Sequence, residues 1–345
     1  MTANELLRDR VIEHAVYLER YTKRELVEVL AILEQANDSV IEKIARASVD
    51  ISENAKQALL DEIRRAYAAA VDEMRKRFET EGKKLGQIEL DYAKSLLESA
   101  PVSISFSMVT PEMLWSAVHS LPAASGTTAA ELLDAYELGT AQKIVSAVRQ
   151  GFVEGESIPE IIRRLRGTRA AKYADGVMQT TRRGAQTLAQ TLTSHISNTA
   201  AHETYKENAD LVKGEQWLAT LDSATCPICG ALDGKKWPIG EDHALPPEHP
   251  RCHCTIVPVL ASWEELGVSP ENIPEEVRTA MDGEYPGSTT YEDWLRRQPV
   301  ALQEEILGIK RSELFRKGMR LDSMIDRGKL LTLEELGAKR PGRAA

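Results

Sequence analysis

The chain has 345 residues, of which 42% are hydrophobic and 28% are charged. This composition supplies enough apolar side chains for packed cores and excludes a mainly disordered protein. A chain of this length predicts two or three folding units. The formal net charge of −10 at pH 7 disfavours a protein that coats nucleic acid, because phosphates repel an acidic surface.

Neither a membrane span nor a secretory signal is indicated. No apolar run approaches the roughly 20 residues that cross a bilayer. The opening stretch MTANELLRDRVIEH carries too many charges for the apolar centre of a signal peptide. We therefore expect a soluble chain that is not secreted.

The first hundred residues predict a long helical hairpin. Apolar residues recur three or four positions apart, which is the spacing of one helix face; they are Leu59, Ile63, Ala66, Ala70, Met74 and Phe78. The first helix is predicted over about 4–35, ending near Asn37 and Asp38, and the second starts after Ser52. Two such helices pack as an antiparallel pair.

Further elements follow in chain order. Alternating apolar and polar residues over 101–109 predict a short strand. Helices are predicted over about 128–151 and 176–207. Beyond residue 260, frequent prolines predict a tail of short helices.

One section of the chain is basic. Residues 151–200 carry four acidic residues against seven basic ones, which are Arg163, Arg164, Arg166, Arg169, Lys172, Arg182 and Arg183. A solvated helix face explains this pattern, and so does a surface that faces packaged DNA or an acidic partner. No aromatic residues are interleaved to stack on single-stranded bases.

The cysteines carry the strongest signal. All four lie within 29 residues, at Cys226, Cys229, Cys252 and Cys254. The pattern is C-x2-C, a gap of nineteen residues, and H-x2-C-x-C starting at His249. Because no export is indicated, a disulfide framework is less favoured than a metal site.

A tetrahedral ion needs four ligands, and this segment offers more than four candidates. Cys226 and Cys229 form the firm pair. From the second half we favour His249 and Cys252, with Cys254 as the main substitute and His253 less favoured. Several soft thiolates select one Zn²⁺ ion over Mg²⁺ or Ca²⁺.

Asp233-Gly234 is expected to turn between two strands, so that the ion pins a small β-hairpin. A shell of four protein ligands leaves no open position for a reacting water, which predicts a structural ion and no enzyme activity. One alternative is a metal-dependent nuclease or toxin-like enzyme, because Asp242-His243-Ala244-Leu245-Pro246 resembles the opening of an HNH motif. However, that motif needs a further histidine downstream, and the last histidine here is His253. A zinc-ribbon DNA-binding regulator is disfavoured because residues 201–260 are acidic.

The stretch from Trp217 to Val259 resembles the phage Mu protein F-like head-morphogenesis family, also called minor head or minor capsid proteins. The residues that carry the resemblance are Trp217, Asp222, Thr225, Cys226, Pro227, Cys229, Leu232, Asp233, Gly234, Pro246, Pro247, His249, Pro250, Cys252 and Cys254. One departure is His253, where the family usually has arginine. The resemblance extends over about 130–260.

The resemblance implies a minor structural component of a tailed-phage or prophage head, acting in capsid assembly or DNA packaging at the portal vertex. Its implied partners are the portal protein and other capsid or procapsid proteins, with packaged DNA as a further contact. Its implied location is the virion, in the capsid interior near the portal, after assembly in the host cytoplasm. No membrane, small-molecule substrate or reaction is implied.

Together these features predict a mainly α protein in three parts. Residues 1–100 form an N-terminal helical arm. Residues 101–260 form the Mu F-like head-morphogenesis domain, which includes the zinc module at 213–260. Residues 261–345 form a helical C-terminal extension.

Overall fold

The protein is mainly helical, as predicted. A computed structural model describes residues 3–47, 52–99, 106–261 and 277–338. These residues contain eleven α-helices, one three-stranded antiparallel sheet and two small two-stranded sheets. None of the helices in these ranges combines the length and apolar character that a bilayer span requires.

Two long helices open the chain. Helix α1 spans Ala3–Ala45 and helix α2 spans Glu53–Glu98. The amide of Ala55 donates to the Ser52 hydroxyl at 3.3 Å, so Ser52 caps α2 as predicted. The apolar positions predicted along α2 face inward, and Ile63 is fully buried.

The predicted end of α1 near Asn37 and Asp38 is wrong, because the helix continues to Ala45. Asn37 is buried, and its side-chain oxygen accepts a hydrogen bond of 2.7 Å from the Tyr67 hydroxyl of α2. An asparagine can end a helix by bonding to nearby backbone groups. Here the Asn37 side chain is hydrogen-bonded to Tyr67 of the neighbouring helix instead, and the helix continues.

Replacing Tyr67 with phenylalanine should lower the free energy of unfolding by about 1–3 kcal/mol, because the buried Asn37 oxygen loses its donor. Tyr136→Phe is a suitable comparison. The Tyr136 hydroxyl donates to the carbonyl of Thr181 within a later helix, and that carbonyl still accepts the hydrogen bond of the helix when the hydroxyl is removed, so the loss of stability should be smaller. Urea denaturation followed by circular dichroism would measure both changes. Equal stability of Tyr67→Phe and the wild type would contradict the argument.

Four more helices pack against this pair. They are α3 (Pro111–Ser120), α4 (Ala129–Glu154), α5 (Ile158–Arg166) and α6 (Val177–Glu207). One buried cluster joins Ile63 of α2, Ile144 and Val148 of α4, and Ile161 of α5. The first two helices therefore share a core with the helices that follow. Of the strand predicted over 101–109, residues 101–105 lie outside the described residues, and 106–109 form no strand.

The main sheet follows α6. Its strands are β1 (Val212–Leu218), β2 (Lys236–Pro238) and β3 (Thr255–Leu260), in the order β2-β1-β3. A short helix, α7 (Pro227–Leu232), lies between β1 and β2. The prediction that Asp233-Gly234 turns between two strands is wrong in detail, since this turn joins α7 to β2. The small β element is a three-stranded sheet rather than a hairpin because β1 has a partner on each side.

The C-terminal part contains the predicted short helices and two hairpins that were not predicted. Its elements are β4 (Val277–Ala280), β5 (Gly283–Pro286), α8 (Tyr291–Arg297), α9 (Val300–Leu307), α10 (Ile309–Arg316), β6 (Ile325–Asp326), β7 (Lys329–Leu330) and α11 (Leu333–Ala338). Thr290 caps α8 through a capping box with Asp293. Trp294 and Phe315 are fully buried in a core within this part of the chain.

Candidate metal centre

The first half of the cysteine cluster lies at the start of α7. Cys226 is the residue that precedes the helix, and its sulfur accepts a hydrogen bond from the backbone amide of Cys229 at 3.4 Å. An amide that points at sulfur favours the thiolate over the thiol. The C-x2-C spacing thus places two sulfurs on one helical turn and stabilises negative charge there.

The second half lies in the turn before β3. His249, Cys252 and Cys254 follow one another here, and the amide of Cys252 donates to the carbonyl of His249 at 3.0 Å. The Nδ1 atom of His249 lies 2.9 Å from the carbonyl oxygen of Pro250. Because a carbonyl can only accept, Nδ1 carries the proton and Nε2 is directed at the cysteines.

Helix α6 holds this turn in place. The amide of Arg251, a residue with φ of +65°, donates to the Thr191 hydroxyl at 3.0 Å. Asn198 accepts a hydrogen bond from the Ile256 amide at 3.2 Å and donates to the Cys254 carbonyl at 3.4 Å. The sequence predicts that α6 exists, but these anchoring roles depend on contacts between residues about 60 positions apart.

The shortest distances between sulfur and nitrogen atoms in the cluster approach those of a tetrahedral zinc site. Zn–S bonds of about 2.3 Å place neighbouring sulfurs about 3.8 Å apart, and the sulfurs of Cys229 and Cys252 are 3.7 Å apart. The Nε2 atom of His249 lies 3.2 Å from the Cys226 sulfur and 3.3 Å from the Cys229 sulfur. A zinc ion would place a sulfur and a nitrogen about 3.6 Å apart, so this trio needs only a small expansion. The Cys252 sulfur must also move closer to Cys226 and His249, because these three share no group of atoms within 4.8 Å.

The electrostatics of the cluster also favour a cation. The pKa of the Cys226 thiol is lowered to about 4, first by its hydrogen bond with Cys229 and then by His249. The pKa of His249 is raised to about 9, mainly by its hydrogen bond with Cys226. A hydrogen bond from the Cys229 thiol likewise lowers the pKa of Cys252. The pKa values of the Cys229 and Cys254 thiols are raised instead, that of Cys229 mainly by its hydrogen bonds with the neighbouring sulfurs. Negative charge is therefore held on Cys226 and Cys252, and a divalent ion would neutralise it.

The structure brings all five predicted ligands together. They form two overlapping groups, in each of which the ligand atoms lie within 4.8 Å of one another: Cys226, Cys229 and His249, and Cys229, Cys252 and Cys254. Cys229 belongs to both groups and is buried. All four cysteines are free. His253, the less favoured candidate, lies outside both groups, and its Nε2 is 3.2 Å from each Asp222 carboxylate oxygen.

Gly230, directly after the C-x2-C pair, makes a close contact with the C-terminal part of the chain. A β-carbon at Gly230 would lie 2.3 Å from the ring of Tyr291, the first residue of α8. The Tyr291 hydroxyl also donates to the Thr225 carbonyl at 3.0 Å. Glycine is required here because a buried aromatic ring of the C-terminal part rests on the backbone of α7.

We expect Gly230→Ala to lower the free energy of unfolding by about 1–3 kcal/mol, because the overpacked Tyr291 ring has no room to move. Gly139→Ala is the matched control, since a β-carbon at that helical glycine contacts nothing within 4 Å. The control should be neutral or slightly stabilising. Thermal unfolding of both variants would test this, and equal melting temperatures would contradict it.

A buried ion pair makes a second link to the C-terminal part. The Asp233 carboxylate lies 2.9 Å from two guanidinium nitrogens of Arg278, one bonded to each carboxylate oxygen. It also accepts hydrogen bonds of 2.7 Å from the amides of Ala219 and Tyr291. The side chains of Asp233 and Arg278 are 0% and 4% exposed. No local sequence signal points to this pair, because its members are 45 residues apart.

The nuclease alternative depends on His243, which lies outside the cysteine cluster and is buried beside Glu215. Its Nδ1 lies 2.9 Å from the Ala244 carbonyl, and its Nε2 lies 2.7 Å from a Glu215 oxygen. Its side chain is 2% exposed, and its ring stacks on Trp237 with ring centroids 4.7 Å apart. Both ring nitrogens therefore have partners, and the ring has little contact with solvent.

The fold and the cluster together define a mainly α protein that carries a small cysteine- and histidine-rich module. Residues 142–257 match the family model described as Phage Mu protein F like protein. The match covers about a third of the chain, from within α4 to within β3, and includes the whole cluster. No curated protein and no solved structure matches the chain.

This segment is similar to the Phage Mu protein F-like family, and the resemblance seen in the sequence is confirmed over it. The match supports a phage head-related protein.

Proposed function

We propose that the protein is a minor structural head protein of a tailed phage or prophage, acting in capsid assembly or DNA packaging at the portal vertex. The observation that carries this proposal is the Phage Mu protein F-like match, which encloses all five candidate metal ligands. The portal protein and other capsid or procapsid proteins are the proposed partners. The proposed location is the capsid interior near the portal, after assembly in the host cytoplasm.

In this proposal the cluster holds one structural Zn²⁺ ion. Cys226, Cys229, His249 and Cys252 are the proposed ligands, with Cys254 as the substitute for a member of the second pair. The trio of Cys226, Cys229 and His249 lies within 4.8 Å, and the Cys252 sulfur is 3.7 Å from that of Cys229, so metal binding would draw Cys252 toward the trio. Four protein ligands leave no coordination position for a reacting water. This supports a structural role for the ion and a protein without enzyme activity.

The proposed division of the chain follows from the same assignment. Residues 1–100 are the helical arm, 101–260 the head-morphogenesis domain with the zinc module at 213–260, and 261–345 the C-terminal extension. Helices α2, α4 and α5 share one buried core, which supports an arm that packs against the head-morphogenesis domain.

The basic section is a weaker candidate for a DNA contact than its composition indicates. Four of its seven basic side chains lie within ion-pair distance of carboxylates: Arg163 with Glu160, Arg164 with Glu154 and Glu156, Arg166 with Asp38, and Arg182 with Glu34. These pairs reduce the positive charge that is free to meet phosphate. The section therefore offers packaged DNA less positive charge than its seven basic residues indicate.

The nuclease alternative has less support than the structural role. An HNH-type histidine must activate a water, and the Nε2 atom of His243 instead faces the buried Glu215. Cleavage of plasmid DNA that depends on a divalent metal and is abolished by His243→Ala would favour the nuclease.

The test is a pull-down with the portal protein from infected or induced cells, combined with zinc quantification of the recovered protein. Recovery with portal or procapsid, with zinc bound through the cysteines, is the expected result. A Cys226→Ser variant shows whether the association depends on the module. Absence of the protein from both the portal and the procapsid fractions would refute the proposed role.

A further inference from the structure

A second group of metal-binding side chain types lies apart from the cysteines. His202 of α6, Glu215 of β1 and His243 of the loop after β2 converge, with ligand atoms within 4.8 Å of one another. The Nδ1 atom of His202 is 2.9 and 3.0 Å from the two Glu215 oxygens. The Nε2 atom of His243 is 2.7 Å from one of them. The three residues come from three separate elements, so their convergence is a property of the fold.

The ring of His243 is oriented as a metal-binding histidine commonly is. Its Nδ1 atom is 2.9 Å from the carbonyl oxygen of the next residue, Ala244, which leaves Nε2 directed at the group. His249 in the cysteine cluster has the same arrangement, with Nδ1 2.9 Å from the Pro250 carbonyl. A hydrogen bond of this kind fixes the tautomer and the ring direction of a metal ligand.

Burial of Glu215 requires a compensating positive charge. Its side chain is 0% exposed, while those of His202 and His243 are 14% and 2% exposed. A carboxylate removed from water is stable only if it is paired or coordinates a metal. Burial acts to raise the pKa of Glu215, but hydrogen bonds from His202 and His243 outweigh it and lower that pKa. The carboxylate is therefore ionised and available as a ligand.

We propose that His202, Glu215 and His243 form a second divalent-metal site, independent of the cysteine cluster. The two histidines supply one ring nitrogen each and Glu215 supplies carboxylate oxygen. Imidazole and carboxylate without thiolate suit Mn²⁺, Fe²⁺, Co²⁺, Ni²⁺ or Zn²⁺ rather than Cu⁺. The ion would tie α6, β1 and the loop after β2 together.

The distances within the group are short enough for one ion to replace the hydrogen bonds. The nitrogen-to-oxygen distances are 2.7–3.0 Å, which is the range of a hydrogen bond. Bonds of about 2.1 Å place ligands about 3.0 Å apart in an octahedral site and about 3.4 Å apart in a tetrahedral site. Either geometry therefore requires only a small expansion of the group.

The decisive experiment counts metal in the full-length chain. The protein is stripped with a chelator, reloaded with Co²⁺ and measured by elemental analysis. The wild type should bind two equivalents, and Glu215→Gln and His243→Ala should each bind one. Cys226→Ser should also lose one equivalent, but from the other site. His119→Ala is the matched control, because His119 and Glu79 form a pair at 2.9 Å without a second histidine, and it should keep both equivalents.

Spectroscopy assigns each equivalent to its site. Thiolate ligands give Co²⁺ a sulfur-to-metal charge-transfer band, which nitrogen and oxygen ligands lack. Cys226→Ser should weaken this band and leave the other ion bound, whereas His243→Ala should leave the band intact. Bound Co²⁺ should also quench the fluorescence of Trp237, which stacks on His243, and Trp237→Phe should remove that part of the quenching.

Circular dichroism of each variant separates loss of a ligand from loss of the fold. If a ligand variant unfolds, the wild-type stoichiometry and the Trp237 quenching still decide the question. Binding of a single equivalent by the wild type, tied to the charge-transfer band, would overturn the second site. Two equivalents in folded His243→Ala would also overturn it. Either result leaves the cysteine site and the proposed head role as they are.

Discussion

Replacing Cys226 with serine should release about one equivalent of zinc and loosen residues 213–260. The substitution keeps nearly the same volume, so any loss comes from the missing thiolate rather than from a cavity. Metal binding contributes on the order of 10 kcal/mol of apparent folding free energy in small zinc peptides. The module has a small sheet and the short α7, so its order should depend strongly on the ion. Elemental analysis and hydrogen exchange of the backbone amides would measure the two effects.

The same measurement identifies the ligand that completes the shell. His249→Ala and Cys254→Ser should differ, and the variant that loses the ion marks the true ligand. Contacts of His249 with both Cys226 and Cys229 favour His249. Metal content that stays unchanged in Cys226→Ser would show that the cluster is not the zinc site.

Removal of the Asp233 carboxylate should strongly destabilise the contact between the zinc module and the C-terminal part. Asp233→Ala leaves the buried Arg278 guanidinium without its counter-charge, and breaking such a pair costs about 3–5 kcal/mol. It also removes the acceptor of the Ala219 and Tyr291 amides. Urea unfolding should show the loss, and hydrogen exchange should show it concentrated in residues 212–260 and 277–338.

A partly exposed pair in the same region serves as the control. Glu304 and Arg316 are 33% and 32% exposed with a separation of 3.5 Å, so Glu304→Ala should cost about 1 kcal/mol or less. Combining Asp233→Ala with Arg278→Met should cost less than the sum of the two single changes, because no buried charge is then left alone. A cost for Asp233→Ala equal to that of Glu304→Ala would refute the argument.

Local signals made much of the fold and the cluster predictable. The spacing of Leu59, Ile63 and Met74 indicates a helix face because neighbours three or four positions apart meet on a helix. Ser52 and Thr290 mark helix starts, since their hydroxyls bond to amides three residues away. The cysteine spacing predicts a metal cluster because each pair of ligands is close in sequence.

Features that depend on distant contacts could not be predicted in this way. Asparagine is a residue type that often ends helices. At Asn37 the helix continues because the side chain is bonded to Tyr67 of the next helix, which the local sequence does not show. The sheet order depends on β1 pairing with strands on both sides. His202, Glu215 and His243 follow no motif, since 13 and 28 residues separate Glu215 from its two partners.

The boundary of the matched segment has a practical consequence for protein grafting. The match ends at residue 257, yet the guanidinium that neutralises Asp233 belongs to Arg278. A chimera that transplants residues 142–257 into a foreign scaffold would carry an orphaned anion in its interior. Such a transplant needs either the hairpin of β4 and β5 as part of the donor piece, or an uncharged residue in place of Asp233.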